Sequence, residues 1–125
     1  MDAQTISNDF DEFLPYIDVA DGLTRLQNSK KLYARLLKSY LSGTNNFDSM
    51  AQPLAAGEME TAREKVHSFK GVSANLSLTK NFEASRNLEA ILKENGDYAP
   101  ALAMLKESVS ATEQQIQKLI PRLEA

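Results

Sequence analysis

Apolar residues recur along most of this chain at steps of three and four, the spacing of amphipathic helices, and no stretch alternates as a half-buried strand would. A short first segment, about Ser7 to Phe13, ends before Pro15, which disfavours helical geometry in the residue preceding it, and is expected to form a lid or packing arm. Asp18 is placed to cap a turn or short helix through Leu26. Ser29 opens a longer helix with the stripe Leu32, Tyr33, Leu36, Leu37, Tyr40 and Leu41. Ser42-Gly43-Thr44-Asn45-Asn46 weakens it and predicts a kink or break near Gly43, after which Phe47, Met50 and Leu54 resume the spacing as far as Gly57. From Glu58 to about Ser77 one face carries Met59, Ala62, Val66, Phe69, Ser73 and Leu76. Thr79 is the expected cap of the next helix, with Phe82, Ser85, Leu88 and Leu92 inward and Asn95-Gly96 as its stop. The last stripe reads Tyr98, Leu102, Leu105, Val109, Thr112, Ile116, Leu119 and Leu123, with Pro121 expected to fray or bend the end.

Long amphipathic segments joined by short connections predict an all-α fold, an up-down-up-down four-helix bundle with a short N-terminal helical arm. The 125 residues suffice for one domain, with the arm and short helix to about residue 27 and the bundle from about residue 28 to 125.

Composition narrows the chemistry. Apolar residues at 42% and charged residues at 25% are those of an ordinary globular protein. There is no cysteine, which removes disulfides, thiolate nucleophiles and thiolate metal sites while leaving the compartment open. The acidic start MDAQTISNDFDEF does not read as a secretory signal, and no run reaches the roughly 18 apolar residues of a membrane span, so a cytoplasmic location is expected. A net charge of -3 argues against nucleic acid and against an anionic membrane as partners.

His67 is the one histidine in the sequence. At about 100° per residue it points away from the stripe of Ala62, Val66, Phe69 and Ser73, and so toward solvent. Lys70, Gly71 and Ala74 share its face, and Arg63 lies one turn before it. Gly71 costs about 1 kcal/mol relative to alanine inside a helix, and its missing side chain clears space beside the imidazole. Lys70 places a positive charge where it would stabilise a phosphoryl group on the ring, worth roughly 1 to 4 kcal/mol depending on effective dielectric. A neutral exposed imidazole keeps a lone pair on one ring nitrogen for attack. Against this stands the plain reading that a lone surface histidine on a helix is a solvated polar side chain.

The string Val66-His67-Ser68-Phe69-Lys70-Gly71-Val72-Ser73-Ala74-Asn75-Leu76, continuing without a gap to Leu88-Glu89, closely resembles the histidine-containing phosphotransfer (HPt) domain of bacterial multistep phosphorelays. Tyr16 to Leu26 and Lys31 to Leu37 resemble that family's entry into its bundle, so the likeness covers about residues 14 to 125. It departs at Ser77-Leu78, where the family often has Gly-Ala, and in the loose stretch from Ser42 to Asn46.

The resemblance implies that His67 accepts a phosphoryl group from a receiver-domain aspartate and passes it to another. Lys70 and Gly71 then take the charge-stabilising and clearance roles. Glu89 matches a position where the family commonly hydrogen-bonds the other ring nitrogen, and the competing reading for it is a solvated carboxylate beside a core leucine. Partners are expected to be receiver domains of response regulators or of a hybrid sensor kinase, docking round His67 through Arg63, Ser68, Gly71, Val72 and Asn75. With no Gly-rich phosphate loop and no metal-binding carboxylate cluster, the chain is expected to be a phosphocarrier without ATP-dependent kinase activity. It needs no cofactor of its own, and Mg²⁺ is expected on the partner receiver domain. A stand-alone monomer is expected, since Met1 starts the chain and one bundle buries every stripe. The alternative is a non-phosphorylated helical adaptor using the same face. Metal or haem ligation is disfavoured by a lone histidine without a facing ligand.

Overall fold

The computed structural model describes residues 9–125, so the expectation for Ser7 and Asn8 lies outside the described residues. Every regular element among those described is helical. A single 3₁₀ turn, Asp11–Phe13, precedes α1 (Val19–Arg25), α2 (Lys30–Ser42), α3 (Phe47–Ala55), α4 (Met59–Asn75), α5 (Thr79–Lys93) and α6 (Ala99–Glu124). Helix α4 packs on α3 and α5, α6 packs on α2, α3 and α5, and α1 lies against α2.

Local chemistry explains most boundaries. Asp18 and Ser29 accept from the backbone amides of Asp21 and Leu32, at 3.1 and 3.2 Å, as the caps expected for α1 and α2. The break at Gly43 is complete, and Asn46 caps the new helix through Ser49 at 3.0 Å. Thr79 does not cap α5. It is the first helical residue, and its hydroxyl lies 3.4 Å from the Ser77 carbonyl, because Leu78 occupies the cap position. Helix α6 runs through Pro121 to Glu124, where fraying or bending was expected. Leu32, expected in the stripe of α2, is 36% exposed, while Phe82 is only half-buried and its neighbour Asn81 is fully buried.

The interior holds two apolar clusters. Phe10, Phe13, Ile17, Leu23, Tyr33, Leu37, Leu78, Ile116 and Leu119 belong to one. Met50, Leu54, Val66, Phe69, Leu88, Leu92, Leu105 and Val109 belong to the other. On α4, α5 and α6 buried polar residues fall between the two sets: Ser73, Asn81 with Ser85, and Thr112. Asn81 is the centre of this layer, donating to Tyr40 Oη at 3.2 Å and accepting from Ser108 at 2.7 Å and Thr112 at 3.3 Å. Buried amides are tolerated only when so paired. The N-terminal arm seals the first cluster, with the Arg122 guanidinium over the rings of Phe10 and Phe13 and paired with Glu12.

Tyr33 fixes α1 and α2 to the end of α4. Its ring is fully buried, and its hydroxyl donates to the Leu76 carbonyl at 2.6 Å. A Cβ on Gly22 would lie 2.4 Å from Tyr33 Cζ and Oη, closer than carbon and oxygen can approach. Gly22→Ala must therefore displace a hydrogen-bonded core ring. It is expected to lower unfolding free energy by about 1–3 kcal/mol, read from urea-denaturation midpoints.

Candidate functional site

Helix α4 buries Ala62, Val66, Phe69 and Ser73, which turns the opposite face of the helix outward. His67 sits on that outward face with its side chain 73% exposed, as the sequence pattern predicts. Helix α5 buries Leu88 and Leu92 against the same core, and Glu89, between them in sequence, lies at the edge of the α4–α5 contact. Only 7% of Glu89 is exposed, so it is not the solvated carboxylate of the competing reading.

Three side chains from the sequence pattern meet there. Glu89 Oε2 lies 2.7 Å from His67 Nδ1, and Glu89 Oε1 accepts from Lys70 Nζ at 2.6 Å. Burial alone would raise the carboxyl of Glu89. Hydrogen bonds from Lys70 and His67, together with their charges, outweigh that and hold it below the ordinary glutamate value. An ionised carboxylate only accepts hydrogen bonds, so the proton of a neutral His67 ring resides on Nδ1. Nε2 then carries the lone pair, and no described side chain bonds to it. Lys70 reaches Glu89 with its side chain 24% exposed, so its ammonium neutralises the buried carboxylate one turn from the imidazole.

Gly71 is exposed, and a Cβ built on it would meet nothing within 4 Å. Packing within this chain therefore gives no reason for a glycine at that position. The residues expected to dock a partner divide between the two flanks of α4. Arg63 lines a shallow groove of about 320 Å³ between α4 and α5 with Glu64, His67, Glu89 and Lys93. Val72 and Asn75 line a larger open groove of about 600 Å³ on the other flank, with Leu36, Tyr40 and Leu76 among its walls. Ser68 belongs to that second flank, accepting at 3.3 Å from Nδ2 of Asn45, which lines the larger groove. Sequence reasoning missed Lys93. Its spacing of four from Glu89, which stacks side chains on one helix face, was the available signal.

Among the described residues no group of three or more His, Cys, Asp or Glu side chains gathers as a metal site, and no helix is long and apolar enough to cross a membrane. Comparison with protein-family models, curated proteins and solved structures found no match.

The depressed ionisation of Glu89 links the site to stability. A carboxyl with a lower folded-state than unfolded-state pKa stabilises the fold above the unfolded value, about 4.3 for glutamate, and that contribution disappears as pH falls through the folded value. In urea titrations, the advantage of wild type over Glu89→Gln is expected to shrink as pH falls below about 4. A gap that held or widened below about pH 4 would contradict the assigned ion pairing.

Proposed function

We propose that this protein is a histidine phosphocarrier of a two-component phosphorelay, taking a phosphoryl group on His67 from a receiver-domain aspartate and delivering it to another. One observation carries the reading: a buried carboxylate occupies Nδ1 and leaves Nε2 as the unpartnered nitrogen of an exposed ring. The likeness of residues 66–76 and 88–89 to the HPt family supports it, as does the all-helical architecture. The reading takes α2 with α3, α4, α5 and α6 as the up-down-up-down four-helix bundle of that family.

The chemistry follows from positioning and charge. The Nε2 lone pair forms the N–P bond while the P–O bond to the aspartate breaks, and its electron pair leaves on the aspartate carboxylate. The ring keeps its Nδ1 proton and becomes cationic, a charge that the Glu89 carboxylate at 2.7 Å stabilises. Lys70 neutralises Glu89 in the resting state, so an incoming phosphoryl dianion meets no uncompensated carboxylate. Reversal of the same steps delivers the group to the next receiver. In this reading the receiver contributes its acidic pocket and Mg²⁺, and this chain needs neither ATP nor a metal of its own. Gly71 leaves open the approach to His67, and Arg63, Ser68, Val72 and Asn75 contact the partner. The reading makes the protein a cytoplasmic monomer whose partners are response regulators or a hybrid sensor kinase.

The test is transfer from a phosphorylated receiver domain, followed as acid-labile phosphate. Wild type is expected to acquire it and His67→Gln to acquire none. Equal labelling of the variant would end the assignment, and binding without transfer would instead identify an adaptor. Lys70→Ala is expected to slow transfer by about tenfold, from loss of a few-ångström charge interaction. Gly71→Ala separates stability from function: it should raise unfolding free energy by up to about 1 kcal/mol and slow transfer, since the added methyl meets only the partner. Unchanged transfer by Gly71→Ala would remove the clearance role.

A further inference from the structure

Resting on the phosphocarrier reading, we infer that Arg63 and Lys93 form the seat for the phosphoryl dianion on His67. Lys70 is committed elsewhere: its ammonium lies 2.6 Å from Glu89 Oε1. The groove that holds His67 between α4 and α5, about 320 Å³, is walled by two further cations, Arg63 and Lys93. Both are exposed, and neither has a hydrogen bond or ion pair among the described residues. Glu89 spends both oxygens on His67 and Lys70, leaving Glu64 as the only unpaired carboxylate on the groove. With two free cations against one free anion, the wall is net positive beside the ring.

Helical side chains tilt toward the helix N-terminus, so the imidazole leans over the turn that carries Arg63 and Glu64. Arg63 stands four residues before His67, and Lys93 four after Glu89, which aligns each cation with one member of the His67–Glu89 pair. A guanidinium offers a two-pronged donor for phosphoryl oxygens, and an ammonium a compact charge. Lys70 thus serves the carboxylate that orients the ring, while Arg63 and Lys93 serve the group that the ring carries.

The full chain can be loaded with phosphoramidate, a small anionic phosphodonor, and phosphohistidine formation followed by ³¹P NMR at increasing KCl. Arg63→Gln and Lys93→Gln are each expected to load about three- to tenfold more slowly, the range for an exposed charge-assisted contact, and the double variant more slowly still. Arg63→Lys and Lys93→Arg should recover most of the rate. Salt should slow wild type more than the double variant, because screening acts on charges the variant lacks. Variants that load at the wild-type rate with the wild-type salt dependence would overturn the inference and leave the carrier reading intact. Charge-conserving variants as slow as the glutamines would also overturn it, since packing and not charge would then be responsible. A wild type that never loads would fail the carrier reading, and this inference with it.

Discussion

The two oxygens of Glu89 hold Nδ1 of His67 and Nζ of Lys70, at 2.7 and 2.6 Å, and the rest of the site depends on that junction. A carboxylate this deep is costly unless its lone pairs are engaged. Both partners come from α4, while the carboxylate comes from α5, so the requirement fixes the two helices in register as well as the ring in orientation. It also separates the two ring nitrogens, one satisfied within the protein and one left for chemistry. A histidine on a bare helix face lacks that distinction, since either tautomer would be equally solvated.

What holds Glu89 in place extends well beyond the site. Leu88 and Leu92 anchor α5 in the second apolar cluster, and each fully buried leucine contributes about 1.5–3 kcal/mol. Seven residues earlier on α5, Ser85 and Asn81 tie the helix into a polar layer shared with α2 and α6. The α4–α5 turn is fixed in its turn by Ser77, which adopts φ 58° and donates to Asp21 Oδ2 at 2.6 Å. That φ lies where glycine is normally favoured, and the Ser77–Asp21 bond offsets the strain of a side chain there. Asp21, held below the ordinary aspartate range by the hydrogen bonds from Ser77 and Arg25, connects the turn to α1. The first residues of the fold thereby support the hinge between the two helices that build the site.

Much of this arrangement was legible in the sequence because it follows from periodicity. The stripe Ala62, Val66, Phe69 and Ser73 placed His67 outward, and spacing placed Lys70 and Gly71 beside it. Caps with short polar side chains, Asp18 and Ser29, were equally legible. Contacts between helices were not. Projection showed Lys70 pointing along the face of His67 but not that a buried carboxylate on α5 would capture its ammonium. The roles of Asn81 and Lys93 depend on which face of α5 meets α4 and α6, which one helix's pattern does not specify. Thr79 misled for a local reason: a hydroxyl beside the helix start resembles a cap, although here the chain enters α5 one residue earlier, at Leu78. Ser77, a plain polar residue in sequence, gained its meaning only with its φ and its bond to Asp21.

In the proposed carrier role, Glu89 reserves Nδ1 and leaves Nε2 of His67 to carry phosphate. That role is tested most directly by long-range ¹H–¹⁵N NMR of the labelled imidazole before and after loading with phosphoramidate. The expected result is a neutral ring protonated on Nδ1, followed by phosphorus coupled to Nε2. A resting ring protonated on Nε2, or phosphate attached to Nδ1, would contradict it.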